Sequence, residues 1–185
     1  MRGPLLSGAV GSAASLQAVV RWAAGAQPVV VLGPLWLGET LAQALKVVML
    51  VEADDRASVK RARRRAVKAG RALEIALAGA ELPMPLRSVS ALVVENVAGL
   101  EAAAAANWLG ALVPTLRPGG RLIAVDATSS TSAMARVAGV FLASSLIGLI
   151  QERPRDGVVL TVGMAPSAAV MAARFPSTAA GASAG

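Results

Sequence analysis

No cysteine, histidine or tyrosine occurs anywhere in this sequence of 185 residues. The absence of thiols and imidazoles excludes thiol catalysis, disulfides, histidine-dependent acid–base chemistry and the ordinary zinc sites. Any chemistry must therefore come from carboxylates, hydroxyls, amines or the positioning of reactants. Aromatic residues make up only 3% of a chain that is 55% hydrophobic, so alanine, valine and leucine must build the core.

Long hydrophobic runs are also missing. The segment 137–150 has 14 residues, whereas a membrane-spanning helix needs roughly 18 to 20 apolar residues. It also contains Ser144, Ser145 and Gly148, so a buried helix that leads into a strand explains it better. The first ten residues lack the dense apolar region of a signal peptide. We therefore expect no membrane span and a cytoplasmic location.

The charge of the chain is strongly positive, with a formal net charge of +7. Seven basic residues fall within positions 60–71, and Lys60, Arg64, Lys68 and Arg71 share one helix face. The cluster predicts either a solvated outer face or a surface for an acidic protein partner. An anion or nucleic-acid binder is a further alternative. Because the chain has few aromatic side chains for base stacking, we do not expect specific nucleic-acid binding.

Apolar runs of strand length alternate with longer stretches of helical periodicity, which is typical of an α/β fold. The predicted strands lie at 28–33, 47–51, 73–77, 91–94 and 122–125. The predicted helices lie at 12–24, 37–45, 56–68, 101–116 and 132–146. Two last strands, 147–153 and 158–163, are joined by turn residues and predict an antiparallel hairpin. We expect an N-terminal segment at 1–11, one domain at 12–166 and a flexible tail at 167–185.

One segment carries specific turn chemistry. Pro118, Gly119 and Gly120 stand between a predicted helix and an apolar strand that runs out to Asp126. Proline restricts the residue before it, and glycine reaches positive φ without steric cost. The segment therefore predicts a helix that ends at the Pro-Gly-Gly turn, followed by a buried parallel strand.

This segment resembles the L-x-P-G-G-x-h-h-h signature before the fifth strand of class I S-adenosylmethionine-dependent methyltransferases. Residues 29–33, the strand that ends at Glu52 and the segment Glu81-Leu82-Pro83 resemble other motifs of that family. The resemblance covers about residues 12–165 and is nearest to the small-molecule, type 11-like core. It implies a Rossmann-like methyltransferase fold: a mostly parallel sheet with a C-terminal antiparallel hairpin.

The resemblance also implies a site for S-adenosylmethionine. Its cofactor-binding residues would be Gly33, Pro34, Leu35, Glu52, Ala53, Ala80, Glu81 and Glu95. Glu52 would hold the ribose hydroxyls, and the loop at Gly33 would hold the methionine end. The glycine loop of the family, G-x-G-x-G, reads Gly33, Leu35 and Leu37 here. We therefore expect a degenerate loop in which Leu35 and Leu37 obstruct the cofactor.

Three functions stay open at this point. The chain is a methyltransferase with an unusual pocket that acts on a small molecule or a protein, a non-catalytic module that acts as a scaffold or regulator, or an anion binder through the basic helix. The sequence identifies no nucleophile or general base. Glu95 and Asn96 either line a substrate pocket or cap the next element, and the hydroxyl run after Asp126 is expected to cap the following helix.

Overall fold

The computed structural model describes residues 12–52, 56–78, 84–155 and 157–167. Within them, the strands are β1 (Val29–Leu32), β2 (Val47–Glu52), β3 (Leu73–Ala78), β4 (Val89–Glu95), β5 (Leu116–Asp126), β6 (Ile147–Arg155) and β7 (Val158–Met164). The α-helices are α1 (Ala13–Ala23), α2 (Leu35–Leu41), α3 (Arg56–Lys68), α4 (Ala102–Leu112) and α5 (Thr131–Ala143). The predicted segment 1–11 and most of the predicted tail lie outside these residues.

The seven strands form one sheet in the order β3-β2-β1-β4-β5-β7-β6. The first five strands in this order are parallel to one another, while β7 is antiparallel to both β5 and β6. The predicted mostly parallel sheet with a closing antiparallel hairpin is therefore confirmed, as is the pairing of β1 with β2. In the described part of the chain, no helix combines the length and apolarity that crossing a bilayer requires.

The core consists of two apolar layers, one on each face of the sheet. Because successive strand residues point to opposite faces, Val29 and Val31 pack into one layer and Val30 into the other. The first layer includes buried residues of α1, α2 and α3, and the second includes those of α4 and α5. Phe141 of α5 is one of only two phenylalanines in the chain and is fully buried in the second layer.

Serine hydroxyl groups cap the N-termini of two helices, α1 and α5. Ser12 accepts a hydrogen bond from the Ser15 N–H at 3.2 Å, and Ser130 accepts one from the Ala133 N–H at 3.3 Å. Such caps satisfy an amide that has no partner within the helix. The predicted cap from the hydroxyl run after β5 is thus confirmed.

Helix α2 differs from its prediction at both ends. It was expected at 37–45, but it begins at Leu35 and ends at Leu41. Pro34 occupies the cap position with φ of −68°, and a proline restricted to that φ favours an early helix start. This matters for the site, because α2 begins two residues after Gly33.

The Pro-Gly-Gly prediction was wrong in its position. Helix α4 ends at Leu112, a 3₁₀ turn follows over Val113–Thr115, and β5 has already begun at Leu116. The three residues instead form an irregularity within β5, where pairing with β4 moves from Val89–Leu116 to Ala91–Arg121. Two steps along β4 thus correspond to five along β5, so the extra residues bulge out of the strand.

The bulge is held to the end of the sheet. Gly119 donates its N–H to the Ala165 carbonyl at 2.9 Å, and Ala165 donates to the Gly120 carbonyl at 2.8 Å. A Cβ atom on Gly120 would lie 2.8 Å from the carbonyl oxygens of both Arg117 and Val89. Glycine is therefore required at this position by backbone atoms that cannot move aside.

We predict that Gly120→Ala lowers the free energy of unfolding by roughly 1–3 kcal/mol, the usual cost of overpacking. Gly110→Ala is the matched control, because Gly110 is exposed in α4 with no atom near its Cβ position. That change should raise stability by about 0.4–1 kcal/mol. Urea unfolding followed by circular dichroism measures both; equal stabilities for the two variants would contradict the bulge geometry.

Candidate functional site

The candidate site lies at the carboxyl edge of the sheet, where β1 and β4 are neighbours. The connection after β1 leads to β2 on one side, and the connection after β4 leads to β5 on the other. Open α/β sheets bind ligands in the crevice at such a switch point. Three of the predicted site residues, Gly33, Glu52 and Glu95, lie at or next to this edge. The predicted residues Ala53, Ala80 and Glu81 lie outside the described residues.

Gly33 and Glu95 meet at this switch point. Leu32 pairs with Val94, so the residues that follow them, Gly33 and Glu95, lie side by side. A Cβ atom on Gly33 would lie 3.5 Å from the Glu95 Cβ and 4.0 Å from its Oε2. These are ordinary contacts, and the φ of Gly33 is not in the left-handed region. The fold itself therefore does not require glycine at position 33.

The two leucines of the loop have different environments. Leu35 is partly buried and packs against the first core layer, whereas Leu37 is a fully buried member of that layer. The Leu37 side chain fills the core between α2 and the sheet, and its Cδ2 atom lies 3.6 Å from the Cβ position of Gly33. Obstruction of the cofactor by Leu35 and Leu37 stays a prediction.

Gly38 allows α2 to pack closely against β2. A Cβ atom on Gly38 would lie 2.5 Å from the Sδ atom of Met49, a fully buried residue of β2. In the dinucleotide-binding fingerprint G-x-G-x-x-G, the third glycine permits this close packing of helix on strand. Gly33 and Gly38 have the spacing of the first and third glycines, and Leu35 occupies the second position.

Asp126 is a functional candidate that the predicted site did not include. It ends β5 at the same edge, and its side chain is 1% exposed. The Ala98 N–H donates to its Oδ1 at 2.7 Å, whereas Oδ2 has no hydrogen-bond partner among the described residues. Burial raises the pKa of Asp126 to about 6, although the N–H groups of Ala98 and Val97 and the charge of Arg136 act in the opposite direction.

Glu95 and Asp126 form an electrostatically coupled pair. Glu95 is half-buried, and burial raises its pKa above the ordinary value. Repulsion from Asp126 raises that pKa further. Since Glu95 pairs with Val125, the acid that follows Val125 must lie near it. The sequence signal for this pair was an acid at the end of each of two apolar strands, but their pairing was not assigned.

Some side chains of the basic cluster at 60–71 form hydrogen bonds with neighbouring elements. Arg65 binds Glu39 through two hydrogen bonds of 2.8 and 3.0 Å, and Arg71 donates to the Glu39 carbonyl at 3.2 Å. Arg63 donates to the carbonyl of Ile75. Arg63 and Arg65 thus fasten α3 to β3 and α2, and Arg71, which follows α3, binds α2 as well. Basic side chains on the exposed helix surface include Lys60, Arg64 and Lys68.

A cavity of about 250 Å³ lies at the opposite edge of the sheet. Its lining comes from the first residues of β2 and β3 and includes Lys46, Arg71 and Glu74. The strands β1, β2 and β3 are parallel, so this is their amino edge. The cavity is therefore separate from the switch point, and its volume has no bearing on the site of Gly33 and Glu95.

Comparison with known proteins gives a fold. No family model matches the sequence, and no curated protein matches it. Among solved structures, PigF with SAH superposes with a TM-score of 0.62 at 11% identity, over 80% of this chain and 57% of that one. An O-methyltransferase family 2 protein from Planctomyces limnophilus, in complex with apigenin, gives a TM-score of 0.64 at 14% identity, over 86% and 58%.

The superposition on a shorter protein covers most of both chains. A SAM-dependent methyltransferase from Aquifex aeolicus gives a TM-score of 0.60 at 14% identity, over 81% of this chain and 89% of that one. The chain spans little more than half the length of PigF and of the Planctomyces protein. At these identities the similarity establishes the fold alone: the chain has the Rossmann-like fold of class I S-adenosylmethionine-dependent methyltransferases.

We predict a pH-dependent stability that depends on Asp126. The pKa of Asp126 is about 6 in the folded protein and 3.8 ordinarily, so the folded state binds more protons between these values. This group therefore adds about 3 kcal/mol of stability below pH 4, and the contribution is lost as pH rises through 6. Relative to Asp126→Asn, the unmodified protein should gain stability as pH falls from 7 to 4.

Urea unfolding at half-unit pH steps measures the difference between the two proteins. Glu152, whose pKa is lowered by its pairing with Arg21, contributes with the opposite sign, because it loses stabilisation as pH falls. It is the same in both proteins, so it cancels from the difference. Parallel stability curves would show that Asp126 is not buried as described.

Proposed function

We propose that the switch point between β1 and β4 binds S-adenosylmethionine and that the chain is a methyltransferase domain. One observation carries the proposal: Gly33 lies against Glu95 at the edge where this fold binds ligands, yet the packing around it would admit the methyl group of an alanine. A ligand that approaches the backbone at this point would supply the missing reason for glycine.

The donor groups at the edge suit the charges of the cofactor. S-adenosylmethionine carries an ammonium group at its methionine end, and the half-buried Glu95 carboxylate would accept a hydrogen bond from it. Such charge-assisted hydrogen bonds are about twice as strong as neutral ones. Glu52 ends the neighbouring strand β2, which supports a role in binding the ribose hydroxyls. The sulfonium of the cofactor supplies an activated methyl group.

Transfer of that methyl group depends mainly on alignment between the acceptor and the cofactor. The absence of histidine therefore does not argue against this reaction. The Planctomyces structure contains apigenin, which supports a small molecule as the methyl acceptor of the proposed reaction.

A second candidate is a non-catalytic module that keeps the fold. Leu35 occupies the second glycine position of the fingerprint, and Pro34 lacks the amide N–H that a loop residue could donate to a ligand. Both features weaken contact between the loop backbone and a cofactor. In that case the chain acts through its surface, and the exposed basic side chains of α3 form a contact region for an acidic protein.

We predict that the purified protein binds S-adenosylmethionine and its demethylated product, S-adenosylhomocysteine, with micromolar affinity. Gly33→Ala should weaken binding about tenfold or more, because the new methyl group occupies the space of the ligand. Its stability should change little, since that methyl group makes only ordinary contacts in the fold. Isothermal titration calorimetry and urea unfolding measure the two effects, with Gly110→Ala as the control. Unchanged affinity in Gly33→Ala would contradict the proposed location.

We predict that Leu35→Gly raises the affinity for S-adenosylhomocysteine, whereas Leu37→Gly lowers the free energy of unfolding by about 2–5 kcal/mol, as large-to-small core changes do. The difference follows from the partial burial of Leu35 and the full burial of Leu37. Calorimetry and urea unfolding of both variants test it. Silence of the unmodified protein at millimolar ligand, with binding restored in Leu35→Gly, would favour the non-catalytic module.

A further inference from the structure

The chain leaves β4 through a compact turn. Asn96 adopts a left-handed backbone with φ of 64°, and a 3₁₀ turn over Val97–Gly99 follows. The Asn96 N–H donates to the Val125 carbonyl at 3.0 Å, and the Gly99 N–H donates to the Asn96 carbonyl at 3.2 Å. A Cβ atom on Gly99 would meet the exposed side-chain amide of Asn96. The two backbone hydrogen bonds therefore define the conformation of the turn.

The centre of this turn is held from two sides. The N–H of Ala98 donates to Asp126 Oδ1 at 2.7 Å, and the carbonyl of Ala98 accepts from the Arg136 guanidinium. Asp126 belongs to β5 and Arg136 to α5, so Ala98 connects β4 to both elements. Glu95 lies three residues before Ala98, at the point where the chain leaves the sheet.

We propose that Asp126 is a positioning residue that fixes the Val97–Gly99 turn through Ala98 and thereby holds the Glu95 carboxylate beside Gly33. Asp126 is 1% exposed, so it acts through Glu95 rather than by touching a ligand. The proposal rests on the proposed binding of S-adenosylmethionine at this edge. It adds Asp126 as the residue that positions Glu95, the anionic contact of the cofactor.

A carboxylate in this position does more than accept the Ala98 N–H. A neutral amide oxygen could accept the same bond without the cost of a buried charge. The negative charge of Asp126 also repels that of Glu95 and raises its pKa. Among the described residues, the charged groups that act on Asp126 are Glu95 from β4 and Arg136 from α5. Opposite Asp126, β7 presents Val159, Leu160 and Thr161, which are uncharged.

This arrangement predicts how ligand affinity depends on pH. The ammonium of S-adenosylhomocysteine requires the ionised Glu95, so affinity should fall about tenfold when Glu95 becomes protonated. Asp126→Asn keeps an oxygen for the Ala98 N–H but removes the repulsion. The midpoint of the affinity profile should therefore move to lower pH in Asp126→Asn, while affinity at pH 7.5 stays within about threefold.

The experiment is a calorimetric titration with S-adenosylhomocysteine at pH steps from 4.5 to 8. The proteins are the unmodified chain, Asp126→Asn, Asp126→Ala, Glu95→Gln and Glu74→Gln, in which an exposed acid of β3 serves as the matched control. Asp126→Ala removes the oxygen that holds the turn and should weaken binding about tenfold even at pH 7.5. Glu95→Gln should abolish the pH dependence, and Glu74→Gln should leave it unchanged.

A lower midpoint in Asp126→Asn supports the proposal, because a purely structural role would not move it. An unchanged midpoint, or full affinity in Asp126→Ala, overturns it. If the unmodified protein binds nothing, the proposed function fails, and the amide proton of Ala98 then tests the turn by nuclear magnetic resonance. A chemical shift that titrates near pH 6 and stops titrating in Asp126→Asn shows that Asp126 holds the turn; no titration overturns this part as well.

Discussion

The pairing of β1 with β4 is the constraint on which the rest of the site depends. Leu32 lies opposite Val94, so β1 and β4 end within one residue of each other and the chain departs in opposite directions from one point. This register places Gly33 against Glu95, at the point where the connections after β1 and β4 lead to opposite sides of the sheet. A slip of one residue would turn every strand side chain to the other face, and the two apolar layers therefore fix the site as firmly as they fix the core.

The site contains two acidic side chains that burial partly or fully removes from solvent. Glu95 and Asp126 are adjacent acids, and burial raises the pKa of both. Perturbed carboxylates in the crevice of an open sheet mark candidate functional residues. By contrast, many of the basic side chains lie on the outer surface of α3, and several fasten that helix to its neighbours. The buried acids thus support a ligand site more strongly than the larger basic cluster does.

Local patterns predicted most of the fold. Helix α3 has the predicted bounds because its buried residues, Val59, Ala62 and Ala66, recur at helical spacing. Long-range contacts decided what was missed. The Pro-Gly-Gly segment became a bulge because Ala165, more than forty positions away, bonds to it, and no local pattern contains that contact. The coupling of Glu95 to Asp126 likewise depends on the pairing of β4 with β5, and Leu37 could be assigned to the core only after α2 was placed.

The central claim is that the edge at Gly33 and Glu95 binds S-adenosylmethionine, and the most direct measurement is a map of amide chemical shifts during titration with S-adenosylhomocysteine. We predict the largest changes at Gly33, Glu95 and Asn96, with smaller changes along the turn to Gly99. Amides at the opposite edge, including Lys46 and Glu74 beside the cavity, should not shift. Changes confined to that cavity or to α3, or none at millimolar ligand, would contradict the account.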